Sequence, residues 1–263
     1  MNVALRLHGD ADRPALVYLP GLHGDWTLVG AFRRALAARV RFVEISYPSA
    51  TDWSLVDYAN AVAEALVGNH VSHGWLLAES FGSQVAWAML ARPCHFQADG
   101  LILAGGFVRH PWPAAVRMTR RALERIRFRQ LCVLLRVYAV YAHGRYGFRG
   151  GAVRTDLAEF LSRRDETDRQ GAAHRLRLIE GSDWESVARS VRLPVYYLSG
   201  LWDPVVPWPW VWRWLRRNCP ALKGCRLVWW SDHNVLGAAA ESSARQALRW
   251  MDANSGGAGC AGG

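Results

Sequence analysis

Short apolar runs, each about one strand long, alternate in the first part of the chain with segments whose apolar residues recur every three or four positions. Ala15–Leu19 reads as a strand that stops at Pro20-Gly21, and Phe32 to Val40 carries helical spacing. Arg41–Ile45 reads as the next strand, closed by Tyr47-Pro48. Ser54 is placed to cap a helix whose Leu55, Tyr58, Ala59, Val62 and Leu66 share one face, with Gly68-Asn69 at its end. Trp75–Ala78 is a buried strand, Gln84–Leu90 a helix and Gly100–Gly105 another strand. Uninterrupted apolar strands alternating with amphipathic helices predict an α/β protein with a mostly parallel central sheet covered by helices.

The rhythm changes at Phe107. To about Glu185 there is no convincing strand but several helical stretches, among them Ala114 to Arg127 and Gln130 to Tyr141, with the glycine-rich run Tyr146 to Gly151 beyond them. Strands resume at Pro194–Leu198 and Cys225–Trp230, with a helix between them and a last helix near Ala238 to Met251. The expected organisation is an α/β core over 1–106, a helical insertion over 107–186, the remainder of the core over 187–253 and a disordered glycine-rich tail over 254–263. The tail lacks the composition to pack.

At 263 residues and 51% hydrophobic composition the chain can bury a full core, which excludes a disordered tail or a disulfide-stapled miniprotein. No run approaches the roughly 18 apolar residues a membrane span needs; Gln130 to His143 is the longest and contains Arg136. Met1 to Pro14 holds Arg6, His8, Asp10, Asp12 and Arg13 where a signal peptide would be apolar, so a cytoplasmic setting is expected. Five cysteines (Cys94, Cys132, Cys219, Cys225 and Cys260) without a Cys-x-x-Cys pair argue against a disulfide framework and a zinc site. The net charge of +10 sets 31 arginines and Lys223 against 22 acidic residues. No helix-turn-helix, zinc finger or RNA-binding aromatic motif accompanies it, so no nucleic-acid partner is expected.

The sharpest chemical signal is Leu76–Gln84, an apolar strand running into Ala78-Glu79-Ser80-Phe81-Gly82 and then a helix. Ser80 has small residues two positions either side, as in the nucleophile elbow, where a serine in a strained strand-to-helix turn leaves no room for larger neighbours. The pattern alone also fits an ordinary turn. Two later residues sharpen it. Asp203 follows the strand ending at Leu198 and His233 follows the strand ending at Trp230, giving the order nucleophile, acid, histidine. In those roles His233 takes the Ser80 proton while Asp203 holds the imidazole tautomer. Asp232 is a rival acid, hindered by adjacency from reaching the far ring nitrogen. The backbone N–H groups of Phe81 and Leu22 are the candidate oxyanion donors, and His23, Trp26 and Trp202 the candidate pocket residues. Trp208, Trp210, Trp212 and Trp214 are either core or pocket.

Through Leu19-Pro-Gly-Leu-His-Gly24, Ala78-Glu-Ser-Phe-Gly82, Gly200-Leu-Trp-Asp-Pro204 and Asp232-His233 the sequence resembles the α/β-hydrolase fold superfamily from about Arg13 to Met251. It looks like a serine hydrolase branch with a helical cap, which includes uncharacterised bacterial hydrolases. The resemblance implies a helical cap between the strand near Leu101 and that near Val195. It leads to an expected hydrolase of a carboxylic ester or thioester, acting through Ser80 without metal or organic cofactor, and Trp26 close to the Leu22 loop favours an apolar acyl group. Two alternatives stand beside it: an acyltransferase using the same triad, and a ligand-binding protein on a hydrolase scaffold. From Phe107 to Ser186 there are 16 arginines against 9 acidic residues. Such a segment suits a substrate with an anionic head, an anionic membrane surface, or a solvated helix face.

Overall fold

The computed structural model describes residues 2–36, 39–146 and 159–255. Among them seven strands form one sheet: β1 (Ala4–His8), β2 (Ala15–Leu19), β3 (Arg41–Ser46), β4 (His73–Glu79), β5 (Gln97–Ala104), β6 (Val195–Gly200) and β7 (Leu222–Val228). Their spatial order is β1-β3-β2-β4-β5-β6-β7. Every pair is parallel except β1 with β3, where Ala4 faces Ser46 and His8 faces Phe42. Every residue of β2 and β6 is buried, because central strands are covered on both faces; this is why they read as continuous apolar runs.

One face is covered by α1 (Gly30–Leu36) and the final helix α10 (Ala240–Ser255), which pack on each other over Leu16, Phe42, Leu77 and Ile102. The opposite face is covered by α2 (Leu55–Gly68), α3 (Gly82–Leu90) and α8 (Trp208–Asn218), over Val17, Val43, Leu76 and Leu103. Ser54 caps α2 as its sequence predicts: its hydroxyl accepts from the Asp57 N–H at 3.2 Å while the Asp57 carboxylate accepts from the Ser54 N–H at 2.7 Å.

Between β5 and β6 the described chain is helical: α4 (Pro113–Arg125), α5 (Phe128–Tyr146), a turn of helix at 159–162, α6 (Glu166–Gly181) and α7 (Glu185–Ser190), with α4 packed on α6. A short α9 (Val235–Ala238) follows β7. No helix among the described residues is long and apolar enough to cross a membrane.

Three readings need correction. β1 has no counterpart in the sequence reading, because an edge strand with one neighbour and mostly exposed side chains need not be apolar; Arg6 and His8 sit in it without cost. The sheet ends at Val228, and Trp229 beyond it is 65% exposed. The tail boundary lies later than Asn254, since α10 runs to Ser255 and the Asn254 amide donates to the Tyr196 hydroxyl at 2.9 Å. The rest of that tail, Cys260 included, and residues 147–151 of the glycine-rich run lie outside the described residues. The tryptophans of α8 divide: Trp208, Trp212 and Trp214 pack on the core, and Trp210 is exposed against Trp112.

Candidate active site

Because β2, β4, β5, β6 and β7 run parallel, the loops at their C-terminal ends gather along one edge of the sheet. Ser80 follows β4, Asp203 follows β6 and His233 follows β7, and the structure brings all three together.

Ser80 has φ +48°, a conformation a side chain rarely adopts. The turn is held from several sides: the Ser80 N–H donates to the Ala104 carbonyl at 3.1 Å, and the Ser83 N–H donates to the Ser80 carbonyl at 3.0 Å. Gly82 packs against the end of β2 so closely that an added Cβ would lie 2.2 Å from the Leu19 carbonyl oxygen. The small residue two positions after the serine is therefore required by backbone contact, which is the steric reason for the motif.

Asp203 has a fully buried carboxylate with each oxygen assigned. Its Oδ1 accepts from the N–H groups of Val205 (2.8 Å) and Val206 (2.9 Å), and its Oδ2 lies 2.7 Å from His233 Nδ1. Burial acts to lower the His233 pKa, but the hydrogen bond and charge of Asp203, with Glu79 and Asp232 behind them, outweigh it and leave it raised above the ordinary histidine value. Asp232 is turned into its own loop, where Oδ1 accepts from the Asn234 N–H at 3.1 Å. Gly105, at φ +58°, leaves the space the imidazole occupies: a Cβ there would stand 3.2 Å from the His233 ring.

The loop after β2 meets the elbow at Gly21, where a Cβ would lie 3.4 Å from the Ser80 Cβ. The Gly21 carbonyl accepts from the Gly24 N–H at 3.0 Å. A trans peptide places the next N–H opposite its carbonyl, so this turn directs the Leu22 N–H away from Gly24. Two arginines from the inserted segment hold the same loop. Arg175, 1% exposed, donates to the carbonyls of Leu22 (2.8 Å) and Pro48 (3.1 Å). Arg164 donates to the His23 carbonyl at 3.1 Å and pairs with Asp25. Burial pushes the Asp25 carboxyl up, but His23, Arg164 and the Thr27 bonds prevail and hold it below its usual value.

A cavity of about 540 Å³ opens between this edge and the inserted helices. Ser80, His233, Leu22 and His23 line it, with Leu28, Phe107, Trp112, Val116, Leu176 and Ile179 supplying apolar wall. Phe81, next to Ser80, is wholly buried between Tyr47 and Tyr58. No arginine or lysine is among the described residues that line the cavity; the acidic groups Glu79 and Asp232 are, and Glu79 accepts from the Tyr18 hydroxyl. The anionic-head reading of the arginine-rich segment thus finds no arginine or lysine in the described wall. Trp26 and Trp202 also prove not to line the cavity. Trp26 is buried in the other core under the Arg6 guanidinium, 4.1 Å from its ring centroid, and Trp202 is 63% exposed.

His110 is a lining histidine with no signal in the sequence. Its Nδ1 accepts from the Trp112 N–H at 3.1 Å, so Nε2 carries the proton and faces the Val205 carbonyl at 3.3 Å. Burial lowers its pKa, which favours that neutral tautomer. His110 therefore ties the loop after β5 to the turn that holds Asp203. Nothing near it in sequence signals this; likewise Arg175 is one arginine among the 16 of its segment until the fold singles it out. Among the described residues no three His, Cys, Asp or Glu side chains are grouped to hold a metal ion.

A scan against protein-family models and a search of curated proteins both find no match. Solved structures do match. The esterase from Exiguobacterium antarcticum superposes with TM-score 0.76 at 12% identity over 95% of each chain. The enol-lactonase from Burkholderia xenovorans gives 0.75 at 16% identity over 95% of this chain and 96% of that one. An esterase from Rhodococcus sp. gives 0.74 at 18% over 95% and 94%. The protein has the α/β-hydrolase fold.

Proposed function

We propose that the protein is a serine hydrolase that cleaves carboxylic esters or thioesters of an uncharged, apolar acyl group through an acyl-enzyme on Ser80. One observation carries the reading: Ser80, held at positive φ at the end of β4, shares a cavity with a His233 whose other nitrogen is bonded to the buried Asp203. In the proposed mechanism Asp203 accepts from Nδ1–H, leaving Nε2 free to take the Ser80 proton as Oγ attacks the carbonyl carbon. The N–H groups of Leu22 and Phe81 receive the negative charge on the carbonyl oxygen. His233 then protonates the departing alcohol or thiol, and a water activated by the same imidazole releases the acid. The apolar wall supports an acyl chain, and Glu79 and Asp232 disfavour an anionic one. Structural neighbours described as esterases, an enol-lactonase and an N-acyl homoserine lactonase support ester hydrolysis.

The test is a fluorophosphonate probe on the folded protein beside Ser80→Ala. Stoichiometric labelling of the wild type and none of the variant is the expected result. A folded wild type that stays unlabelled and hydrolyses no acyl ester would refute the proposal and favour a binding protein.

The raised pKa of His233 sets the pH dependence. The imidazole must be neutral to act as base, so kcat/KM is expected to fall on the acid side with an apparent pKa above the ordinary value of about 6.5. A rate profile with its acid limb below that value would contradict the role given to the Asp203 bond.

A further inference from the structure

The helix α5 is apolar on two sides. Phe128, Leu131, Cys132 and Leu135 recur at helical spacing and are half-buried. On the opposite side Val133 is 57% exposed, Leu134 56%, Val137 62% and Val140 74%. A helix with a second apolar face needs a second environment to put it in, and no element of the described chain supplies one.

The surroundings of this stripe identify the environment. Arg129 and Arg136 are exposed on the same side of α5, and Arg125 and Arg127 stand at its corner with α4. The outward side of α4 adds Arg117 and Arg121 around Met118, itself 70% exposed. Acidic groups close by are already engaged: Glu124 with Arg120 and Arg177, and Glu180 with Arg120. The six arginines of this face have no carboxylate within ion-pair distance among the described residues.

We infer that this face of the protein adsorbs on an anionic lipid surface, with α5 lying in the interface. Its valines and Leu134 enter the boundary of the acyl chains, while the arginine stems reach outward to the phosphates. Charge complementarity selects this occupant. A second copy of the chain would bring six more arginines against these six, and a nucleic acid would leave the apolar stripe uncovered. On the other side of α4, Val116 lines the cavity, so adsorption sets the cavity roof close to the membrane.

Flotation of the purified protein with vesicles tests this independently of any catalytic activity. The protein is expected to float with mixed phosphatidylcholine–phosphatidylglycerol vesicles at low ionic strength, and to stay behind with phosphatidylcholine alone or in high salt. Replacing Arg129 and Arg136 by glutamine should weaken partitioning by roughly fivefold for each arginine. The pair Val137→Gln and Val140→Gln should weaken it by roughly tenfold. All four side chains are exposed, so both variants should melt as the wild type does. Failure to float with the mixed vesicles would overturn the inference, as would flotation that neither pair alters. A dimer that the valine pair dissolves, in a protein that binds no vesicles, would assign the face to a second copy and equally overturn it.

Discussion

Asp203→Asn is expected to leave the protein folded and to lower kcat roughly ten-thousand-fold, the size of effect this exchange has in Ser-His-Asp triads. The geometry gives the reason at the level of single atoms. Oδ1 of Asp203 accepts two backbone N–H groups, from Val205 and Val206, and only an oxygen can serve there. An asparagine in its place must keep its carbonyl oxygen on those two donors, which turns its NH₂ toward His233 Nδ1. That nitrogen then has to accept, so the ring proton moves to Nε2, where it faces the Ser80 side of the ring and blocks proton abstraction. The acid limb of any residual activity should move to lower pH as well, because the bond and charge that raise the His233 pKa are lost while burial stays. Steady-state kinetics beside a melting curve decide it: an unchanged kcat would place the acid elsewhere, and a lost transition would make the effect one of folding.

Gly82→Ala is expected to be a severely damaging single-methyl change in the site. The new Cβ would lie 2.2 Å from the Leu19 carbonyl oxygen, 2.8 Å from its carbon and 3.0 Å from the Pro20 carbonyl oxygen. All three are backbone atoms at the end of a central strand, so no rotamer change relieves the clash. Either α3 lifts from the sheet or β2 shifts. A loss of about 3 kcal/mol is the expected order, read from the denaturant midpoint. Whichever segment yields, the distance between Ser80 and the Leu22 loop changes, so probe labelling should fall even in protein that remains folded. A variant with wild-type midpoint and labelling would show that the contact is loose.

How much of the site was legible varies with the kind of contact each residue makes. Ser80, Asp203 and His233 stand out because each follows an apolar strand, and strand-to-loop junctions are visible along the chain. Leu22 is placed by its turn after β2. Trp26 and Trp202 are large and apolar and stand near those loops in sequence, but which way a loop side chain turns depends on the helices packed beside it. Trp26 turned into the core and Trp202 outward. His110, Gly105, Arg164 and Arg175 were invisible for the complementary reason: what distinguishes them is a partner 95 to 153 residues away or the shape of a neighbour.

Local and repeating properties of this protein are thus written in the sequence itself. Strand and helix alternation, the break at Phe107, the cap at Ser54 and the strained serine turn each arise within a few residues, where propensity and period act. The tertiary structure decided what depends on distant segments meeting. It set the edge position of β1 and the wall of the cavity, where no arginine or lysine stands among the described residues. It also buried Arg164 and Arg175 against the Leu22 loop while leaving the α4 and α5 arginines around an uncovered apolar stripe. The sixteen arginines of one segment are alike in sequence; burial and partners, which only the packed chain supplies, separate those that hold a loop from those that face outward.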